Sequence, residues 1–374
     1  MRGAEAVVGY RASMTSTSFR VEPTTSPMPA LRRERILADP GFGRHFSDHM
    51  VTAHWTPDAD WHEGRVHAYA PLSMDPATAV LHYGQQIFEG MKAYAHADGS
   101  VWTFRPEVNA ARFQRSARRL ALPELPAHSF LDAVDLLVRT DRDWIPTGGE
   151  RSLYLRPFMY ASEVFLGVRS SQHVTFCIIA SPASSYFRNG LKPVTIWLST
   201  DYTRAGPGGT GSAKCGGNYA SSLLPQRQAY EHDCEQVVFL DSAERTWVEE
   251  LGGMNIYFVH DNGTLVTPEL TDTILEGVTR DSILALGADL GLKVDERRVS
   301  LDEWRDGVGS GRITEVFACG TAAVVTPVAT LRWEGGEVSS GDEPGEITCQ
   351  VRDRLLDIQY GRAADHHGWL HRVC

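Results

Sequence analysis

The order of apolar and polar residues along the chain predicts a succession of strands and helices. Short apolar runs rich in β-branched and aromatic residues predict strands at 173–182, 193–200, 235–241, 254–260, 315–321 and 322–333. Apolar residues recur at helical spacing over 107–120 and 279–290, and another helix is predicted after Gly217. A hairpin is predicted over 261–263. Because hairpins mix with helices, an α+β (mixed α/β) fold is favoured over a doubly wound parallel sheet.

Composition shifts along the chain predict two domains. The first residues are rich in Ser, Thr and Pro, so 1–35 are expected to be a disordered extension, with Met14 as an alternative start. A small N-terminal domain is expected over 36–182 and an interdomain loop over 183–193, where turn residues gather. A larger domain, expected to hold the cofactor predicted below, covers 194–374.

The overall composition indicates a globular protein that acts on small molecules. Of the 374 residues, 42% are hydrophobic and 22% are charged, and the net charge is −11. No basic stripe stands out, so neither nucleic acid nor an anionic membrane is an expected partner. No apolar run reaches the roughly 20 residues that span a bilayer. The six cysteines include no CxxC pair, which argues against a disulfide framework and favours the reducing cytoplasm.

Lys214 and Glu250 carry the most informative chemistry. Lys214 precedes two glycines in KCGGNYASSLL, which leaves room for a flat ligand, and Glu250 opens the turn in EELGGMN. Pyridoxal phosphate needs an amine to bind its aldehyde and an anion to keep its ring nitrogen protonated. Tyr219 is a candidate partner for the ring hydroxyl. Each residue alone has an ordinary explanation, as a surface lysine, a turn carboxylate or a core tyrosine, but together they predict a pyridoxal phosphate site.

A cradle for the cofactor phosphate is predicted where the helix near Thr279 begins. Gly277, Val278 and Thr279 precede an apolar periodic stretch, so their amides lie at a helix N-terminus, which favours an anion. An ordinary helix cap is the alternative explanation. An arginine of the earlier helix is expected to add charge, and the pattern leaves open which one. The candidates are Arg112, Arg115, Arg118 and Arg119.

Two other motifs match known ligand patterns less well. GPGGTG at 206–211 follows a predicted strand, as the glycine loop of an NAD-dependent oxidoreductase does. However, DYTRA separates this loop from the strand, and Pro207 occupies the middle of the turn. In HFSDH at 45–49, Phe46 stands where a zinc protease needs its glutamate. We therefore predict no dinucleotide site and no metal site.

Seven sequence blocks occur in the order that a known family shows. The blocks are HYGQQIFEGMKAY (82–94), FRPEVNAARF (104–113), LYLRPF (153–158), GGTGSAKCGGNYA (208–220), EELGGMNIYF (249–258), LEGVTRDS (275–282) and EVFACGTAAVVTPV (315–328). In these blocks, between about Gly41 and Leu370, the chain resembles the branched-chain amino acid aminotransferases, which are fold-type IV pyridoxal phosphate enzymes. The resemblance implies the two-domain fold of the D-amino acid aminotransferase type and a homodimer with its active site at the subunit interface.

The resemblance also implies roles for individual residues. The implied cofactor-binding residues are Lys214, Arg112, Tyr219, Glu250, Val278, Thr279 and Thr321. The implied substrate-binding residues are Tyr83, Phe88, Tyr154, Arg156, Val168, Tyr186, Gly253, Thr321 and Ala322. Tyr83 and Val168 are expected to come from the neighbouring subunit. Family members often carry a threonine at the position of Gly253, so a hydroxyl contact to the substrate is expected to be missing here.

The activity implied by the resemblance is a reversible amino transfer. It runs between L-leucine, L-isoleucine or L-valine and 2-oxoglutarate, gives branched 2-oxo acids and L-glutamate, and follows ping-pong kinetics. Lys214 is the expected catalytic residue, and Arg156 is expected to pair with the γ-carboxylate of glutamate. Alternatives within the fold are a D-amino acid aminotransferase and an aminodeoxychorismate lyase. Alternatives from other classes are a pyridoxal-phosphate-binding protein without turnover and an NAD-dependent oxidoreductase.

Overall fold

The computed structural model describes residues 17–184 and 191–374, and their strands form two sheets. The strands are β1 (Arg20–Val21), β2 (His49–Thr56), β3 (Asp60–Ala68), β4 (Gln86–Phe88), β5 (Met91–Ala95), β6 (Val101–Phe104), β7 (Ser152–Ala161), β8 (Val174–Ala183), β9 (Val194–Ser199), β10 (Gln236–Leu240), β11 (Val248–Leu251), β12 (Asn255–His260), β13 (Thr264–Thr267), β14 (Lys293–Glu296), β15 (Ile313–Gly320), β16 (Val324–Trp333), β17 (Gly336–Ser339) and β18 (Leu370–Arg372). The helices are α1 (Ala30–Ala38), α2 (Val80–Tyr83), α3 (Pro106–Arg119), α4 (Ala127–Thr140), α5 (Gly216–Ala220), α6 (Leu223–Glu231), α7 (Val278–Asp289), α8 (Leu301–Ser310) and α9 (Glu346–Gln359), with a short 3-10 helix at Arg142–Trp144.

The first sheet is almost entirely antiparallel. Its order is β1-β3-β2-β8-β7-β5-β6-β18, and β4 pairs with β7. Only the β1–β3 pair is parallel among the pairs of this sheet in the described residues. Helices α3 and α4 pack on the sheet through Phe113 and Phe130, which contact Phe176 of β8. These aromatic residues are fully buried and form the centre of the first core.

The second sheet mixes parallel and antiparallel pairs. Its order is β11-β10-β9-β16-β15-β12-β13-β14, and β17 pairs with β16. Strand β9 runs parallel to β10 and β16, and β13 runs parallel to β14. The remaining pairs are antiparallel hairpins or crossovers. The strands and helices predicted from periodicity are confirmed, with ends that differ by at most two residues. The predicted α+β fold is confirmed as well.

A shared apolar cluster joins the two sheets. Tyr94 and Phe104 of the first sheet pack in one cluster with Tyr257 and Phe317 of the second. A backbone bridge also links Ile87 to the segment that precedes α5. The segment that precedes α5 is therefore bonded to the first sheet where the two sheets meet. The candidate site lies at this junction.

Helix α3 crosses this junction with two buried rows of side chains. Pro106 lies in its first turn, where the missing N–H loses no helical bond. Apolar residues at helical spacing face the first core: Ala110, Phe113 and Ala117. A polar row with spacings of three and four residues is also buried: Asn109, Arg112 and Ser116. This polar row reaches the candidate site.

The structure differs from the predicted domain division in two places. Within the predicted extension 1–35, β1 pairs with β3 and α1 begins at Ala30. The amides of Thr24 and Met28 donate to side chains of the first sheet and the segment before it, and such long-range bonds are not visible in composition. Strand β18 belongs to the first sheet, although 194–374 were expected to form one domain. The domain boundaries themselves stay a prediction.

The motifs rejected as ligand sites have structural partners. The amide of Gly208 in GPGGTG donates to Asp272 at 2.6 Å, and His49 of HFSDH bonds Asp141 at 2.6 Å. Among the residues that the structure describes, no group of three or more His, Cys, Asp or Glu is placed to hold a metal ion. In the same ranges no helix combines the length and apolar character needed to cross a bilayer.

Candidate active site

Lys214 lies between the two sheets, just before α5. Its backbone N–H donates to Ser116 Oγ and its carbonyl accepts from the Phe88 amide, both at 2.9 Å. Its Nζ donates to the hydroxyl of Tyr219 at 2.8 Å and lies 4.9 Å from the Phe88 ring centroid. Because the backbone is held on both sides, the amine has a defined position.

The two glycines after Cys215 have different surroundings. A Cβ on Gly216 would lie 2.0 Å from Gln86 Nε2, so this glycine permits close packing against the first sheet. A Cβ on Gly217 would meet nothing within 4 Å. The sequence argument assigned both glycines to ligand access, whereas the close approach at Gly216 is to protein.

Glu250 on β11 is a buried carboxylate, with 2% of its surface exposed. Its Oε1 accepts from the Leu275 amide at 2.8 Å and lies 2.9 Å from Arg204 Nη1. Burial raises the pKa of Glu250 to about 7, although Arg204 and the Leu275 amide act in the opposite direction. Arg204 is itself buried and donates to the carbonyl of Thr273 at 2.8 Å, which fixes the pair in place.

We expect the cofactor-free protein to lose stability as the pH rises from about 4.5 to about 7. The pKa of Glu250 is about 7 in the fold against an ordinary 4.5, so the folded state retains a proton that the unfolded state releases in this window. Glu250→Gln should flatten this part of the profile. Thermal melting at a series of pH values measures the effect, and a variant profile parallel to that of the wild type would contradict it.

The N-terminus of α7 faces the same space. Gly277 precedes Val278 and Thr279, and no side chain caps the helix. A Cβ on Gly277 would lie 2.0 Å from Asn255 Oδ1, so a larger residue does not fit. Asn255 also donates to the carbonyl of Leu275 at 3.0 Å and so holds the preceding loop. Uncapped N–H groups at a helix start favour an anion.

Arg112 is the arginine of α3 that lines this space. It is 4% exposed. Its Nε and Nη2 donate to Glu89 at 2.7 and 2.8 Å, and its Nη1 donates to the carbonyl of Glu276 at 3.0 Å. The other candidates of the same helix do not line the cavity and bond the Glu276 carboxylate, the Glu124 carboxylate and the Gly208 carbonyl: Arg115, Arg118 and Arg119. Of the four candidates that the sequence pattern left open, Arg112 is the one placed at the cavity.

Arg156 lies among the aromatic rings that line the same space. Arg156 Nη2 donates to the hydroxyl of Tyr154 at 2.9 Å. Its guanidinium carbon lies 4.8 Å from the Phe88 ring centroid and 5.3 Å from that of Tyr154. Phe42 packs edge-on against Tyr154. Among the described residues, Arg156 Nε is buried without a hydrogen-bond partner.

A tight turn between β15 and β16 closes the site. Thr321 and Ala322 lie in this turn, and Lys92 Nζ donates to the Ala322 carbonyl at 3.0 Å. Burial lowers the pKa of Lys92 to about 8. Val324 follows in the left-handed region at φ 63°, which is costly for a β-branched residue. The turn is thus a strained segment held by a buried lysine.

These elements enclose a cavity of about 180 Å³. The predicted site residues that line it are Phe88, Arg112, Tyr154, Arg156, Lys214, Tyr219, Glu250, Gly253, Val278, Thr279, Thr321 and Ala322. Two predicted residues lie elsewhere. Tyr83 donates its hydroxyl to the carbonyl of Leu166, and Val168 is 88% exposed. Tyr186 lies outside the described residues.

The sequence analysis missed several residues of the site. Lining residues that it did not name are Phe42, Gly90, Asn255, Leu275, Cys319 and Gly320. It also missed Glu89 and Arg204, which bond the lining residues Arg112 and Glu250. Glu89 follows a short apolar strand in QIFEG. A charged residue in that position was the signal in the sequence that could have indicated a buried, paired carboxylate.

The groups around the cavity fit pyridoxal phosphate. Lys214 supplies an amine for the aldehyde, Tyr219 a hydroxyl beside it, and Glu250 a buried carboxylate for the ring nitrogen. Arg112 and the uncapped start of α7 supply donors for the phosphate. Gly277, where an added Cβ would lie 2.0 Å from Asn255 Oδ1, lets the start of α7 pack closely against Asn255.

Comparison with known proteins gives the same class. The chain belongs to the Amino-transferase class IV family, whose model matches residues 86–331. Enzymes of this class use pyridoxal phosphate, and this chain is such an enzyme. It is 58% identical over 362 residues to the probable branched-chain-amino-acid aminotransferase of Streptomyces coelicolor. The matched region covers 96% of this chain and 100% of that protein.

Solved structures of the same class share the fold. The branched-chain amino acid aminotransferase of Escherichia coli has a TM-score of 0.73 at 28% identity, over 87% of this chain and 99% of that chain. The branched-chain amino acid aminotransferase of Thermobaculum terrenum, solved in its PLP-bound holo-form, has a TM-score of 0.68 at 26% identity, over 86% and 98%. The family resemblance drawn from the seven sequence blocks is confirmed. Branched-chain amino transfer is supported over the alternatives, including the NAD-dependent oxidoreductase.

Proposed function

We infer that this protein is a branched-chain amino acid aminotransferase. It exchanges amino groups between leucine, isoleucine or valine and 2-oxoglutarate in two half-reactions at one site. The observation that carries this is the pocket itself, where the guanidinium of Arg156 and the amine of Lys214 lie 4.8 and 4.9 Å from the centroid of the same ring, Phe88. The aromatic rings suit a branched apolar side chain, and the cation suits the γ-carboxylate of glutamate.

Lys214 is the proposed catalytic residue. Pyridoxal phosphate, when bound, supplies the electron sink that acidifies the α-carbon of the amino acid. Among the described residues that line the pocket, Lys214 carries the one side-chain amine. Its Nζ binds the cofactor aldehyde and, once displaced by the substrate amine, removes the α-proton and holds it. Tyr219 orients Nζ through the 2.8 Å hydrogen bond.

The other polar residues bind and orient. Glu250 is the proposed partner of the ring nitrogen, and Arg204 favours its ionised form. Arg112 with Val278 and Thr279 is the proposed phosphate cradle. The backbone amides of Thr321 and Ala322 are proposed to hold the substrate α-carboxylate. The hydroxyl of Thr321 is proposed to complete the phosphate cradle. Because Gly253 has no side chain, there is space beside Tyr219. A Cβ added at Gly253 would lie 3.5 Å from Tyr219 Cε1.

The first test is the visible absorption spectrum of the holoenzyme with L-leucine and, separately, with D-alanine. We expect L-leucine alone to convert the bound cofactor to its aminated form, and 2-oxoglutarate to restore the spectrum. Conversion by D-alanine instead would favour a D-amino acid aminotransferase. A bound cofactor that neither amino acid converts would indicate a binding protein without turnover.

We also propose a homodimer. Large apolar side chains are exposed on α2 and on the loop that packs against it: Leu81, Tyr83, Val164, Leu166 and Val168. Exposed apolar clusters of this kind are typical of interaction surfaces. This surface is the proposed route by which Tyr83 and Val168 reach the pocket of a second copy. All six cysteines are free, which supports the proposed cytoplasmic location.

Val168→Asp is expected to weaken the dimer and to lower activity together. A charge placed on an apolar interface must be desolvated, which costs several kcal/mol when it finds no partner (roughly 2–5). Analytical ultracentrifugation and transaminase assays over a range of protein concentrations measure both effects. Asp302→Ala, which alters an exposed residue of α8, is the control. A variant that stays dimeric and fully active would argue against this surface.

Gly90→Ala is expected to reduce activity much more than Gly253→Ala. A Cβ on Gly90 would lie 2.1 Å from the hydroxyl of Tyr154, whereas one on Gly253 would make an ordinary 3.5 Å contact. Displacing Tyr154 disturbs its bond to Arg156, and overpacking costs about 1–3 kcal/mol. We expect kcat/KM with glutamate to fall about tenfold or more for the first variant and about twofold for the second. Equal effects would show that the pocket tolerates the shift.

A further inference from the structure

We propose that Glu89 is a positioning residue that holds Arg112 in the orientation that binds the cofactor phosphate. This inference rests on the function proposed above and extends it to a residue that does not line the cavity. Glu89 follows β4 and is 0% exposed. A fully buried carboxylate is rare without a compensating charge, so its contacts indicate its purpose.

The contacts of Glu89 form a two-point clamp on Arg112. Its Oε1 accepts from Arg112 Nε at 2.7 Å, and its Oε2 accepts from Arg112 Nη2 at 2.8 Å. Oε2 also accepts from Asn109 Nδ2 at 2.7 Å and from the Gly90 amide at 3.2 Å. Burial would raise the pKa of Glu89, but Arg112 outweighs it and holds the pKa below its usual range. The carboxylate is therefore ionised and fully engaged.

The bonds to Glu89 determine which N–H groups of Arg112 remain for a ligand. A guanidinium carries five N–H groups. Two of those of Arg112 go to Glu89 and one goes to the carbonyl of Glu276. One N–H group therefore remains on Nη1 and one on Nη2. The side chain lines the cavity together with residues at the start of α7. Glu89 thus orients the guanidinium and leaves a pair of donors, which matches the fork that binds phosphate oxygens.

The same region also holds the catalytic lysine. Asn109, Arg112 and Ser116 lie on one side of α3 at spacings of three and four residues. The first two bond Glu89, and the third accepts from the Lys214 amide. The residue before Glu89, Phe88, donates its amide to the Lys214 carbonyl. One helix side and one strand end therefore set the distance between the proposed phosphate donor and the amine.

The test compares two cofactor forms. Dissociation constants of pyridoxal 5'-phosphate and of pyridoxal, which lacks the phosphate, are measured for the wild type and for Glu89→Gln. The glutamine amide is a donor where Glu89 has an acceptor, so Arg112 or Asn109 loses a partner. We expect Glu89→Gln to weaken binding of pyridoxal 5'-phosphate about tenfold or more and to change binding of pyridoxal less than about threefold. Arg118→Gln, which breaks an exposed pair on the same helix, is the matched control and should change neither value.

Three outcomes would contradict the proposals, each in a different way. If Glu89→Gln weakens both cofactor forms equally, Glu89 supports the fold in general and the positioning role is wrong. If it changes neither form, Glu89 does not act on Arg112. If the wild type itself binds the two forms equally, the phosphate cradle proposed above is wrong, and the failure lies with the proposed function.

A second pair of variants protects the test against a folding failure. Glu89→Gln combined with Arg112→Gln removes both buried charges. If Glu89 acts through Arg112, the double variant binds pyridoxal 5'-phosphate as weakly as Arg112→Gln alone. A further loss of about fivefold or more in the double variant would show an independent role for Glu89 and overturn the proposal. The ³¹P resonance of the bound cofactor should shift in Glu89→Gln and stay unchanged in Arg118→Gln.

Discussion

Replacing Lys214 with alanine is expected to abolish transamination and to leave the protein folded. The substitution removes the amine that we propose to bind the cofactor aldehyde and to move the α-proton, and proton transfer alone contributes about 10²–10⁴-fold. We expect kcat to fall by about 10⁴-fold or more. The backbone bonds of this residue to Ser116 and Phe88 are retained, so the loss of the Nζ–Tyr219 bond should cost only about 1 kcal/mol of stability.

Steady-state kinetics, thermal melting and the spectrum after addition of pyridoxal phosphate measure these effects together. The control is Lys293→Ala, which removes an exposed lysine on β14 and should leave kinetics unchanged. A Lys214→Ala protein with more than about one per cent of normal kcat would contradict the assignment of the base. A variant that is inactive because it is unfolded is recognised by its melting curve, and Lys214→Arg then provides the second variant.

Arg156→Met separates the two half-reactions. The glutamate half-reaction should slow about a hundredfold, since a buried charge that loses its partner costs about 2–5 kcal/mol. The leucine half-reaction should change only severalfold, because methionine replaces the stem of the arginine with an unbranched apolar chain against Phe88 and Tyr154. Single-turnover spectra with each amino acid, recorded separately, give the two rates.

The comparison includes its own reference because both rates come from one protein sample. Arg139→Met, which changes an exposed arginine of α4, is the matched control and should leave both half-reactions as they are. Equal slowing of both half-reactions in Arg156→Met would mean that this residue shapes the pocket and does not bind the γ-carboxylate. Slowing of the leucine half-reaction alone would mean that Arg156 serves the branched-chain substrate and not glutamate.

The sequence predicts the parts of the site whose chemistry is local. Lys214, Glu250 and the start of α7 each lie in a short motif with glycines or a helix boundary, and all three line one cavity. Partners from distant segments leave no such trace. Glu89 meets Arg112 and Arg204 meets Glu250 only because the fold brings separate segments together, and no periodicity within a segment encodes that contact.

Local patterns also explain why some predicted features differ from the structure. Gly216 was assigned to ligand access, because a glycine says only that something comes close and not what it is. The composition of residues 17–35 resembles a linker, yet amides among them find side-chain acceptors in and beside the first sheet. Tyr83 and Val168 do not line the cavity of their own chain, so their proposed role depends on a second copy and stays a prediction.

Strand β18 has a consequence for how the molecule is made. Leu370–Arg372 pair with β6, and Val373 is buried in the first core. During synthesis β6 emerges long before these residues, so one edge of the first sheet stays open while the whole second sheet is produced. Loop closure over such a separation is slow and comes after local contacts have formed. The first sheet therefore reaches its final form only after the second sheet has been synthesised, although its other strands are made first.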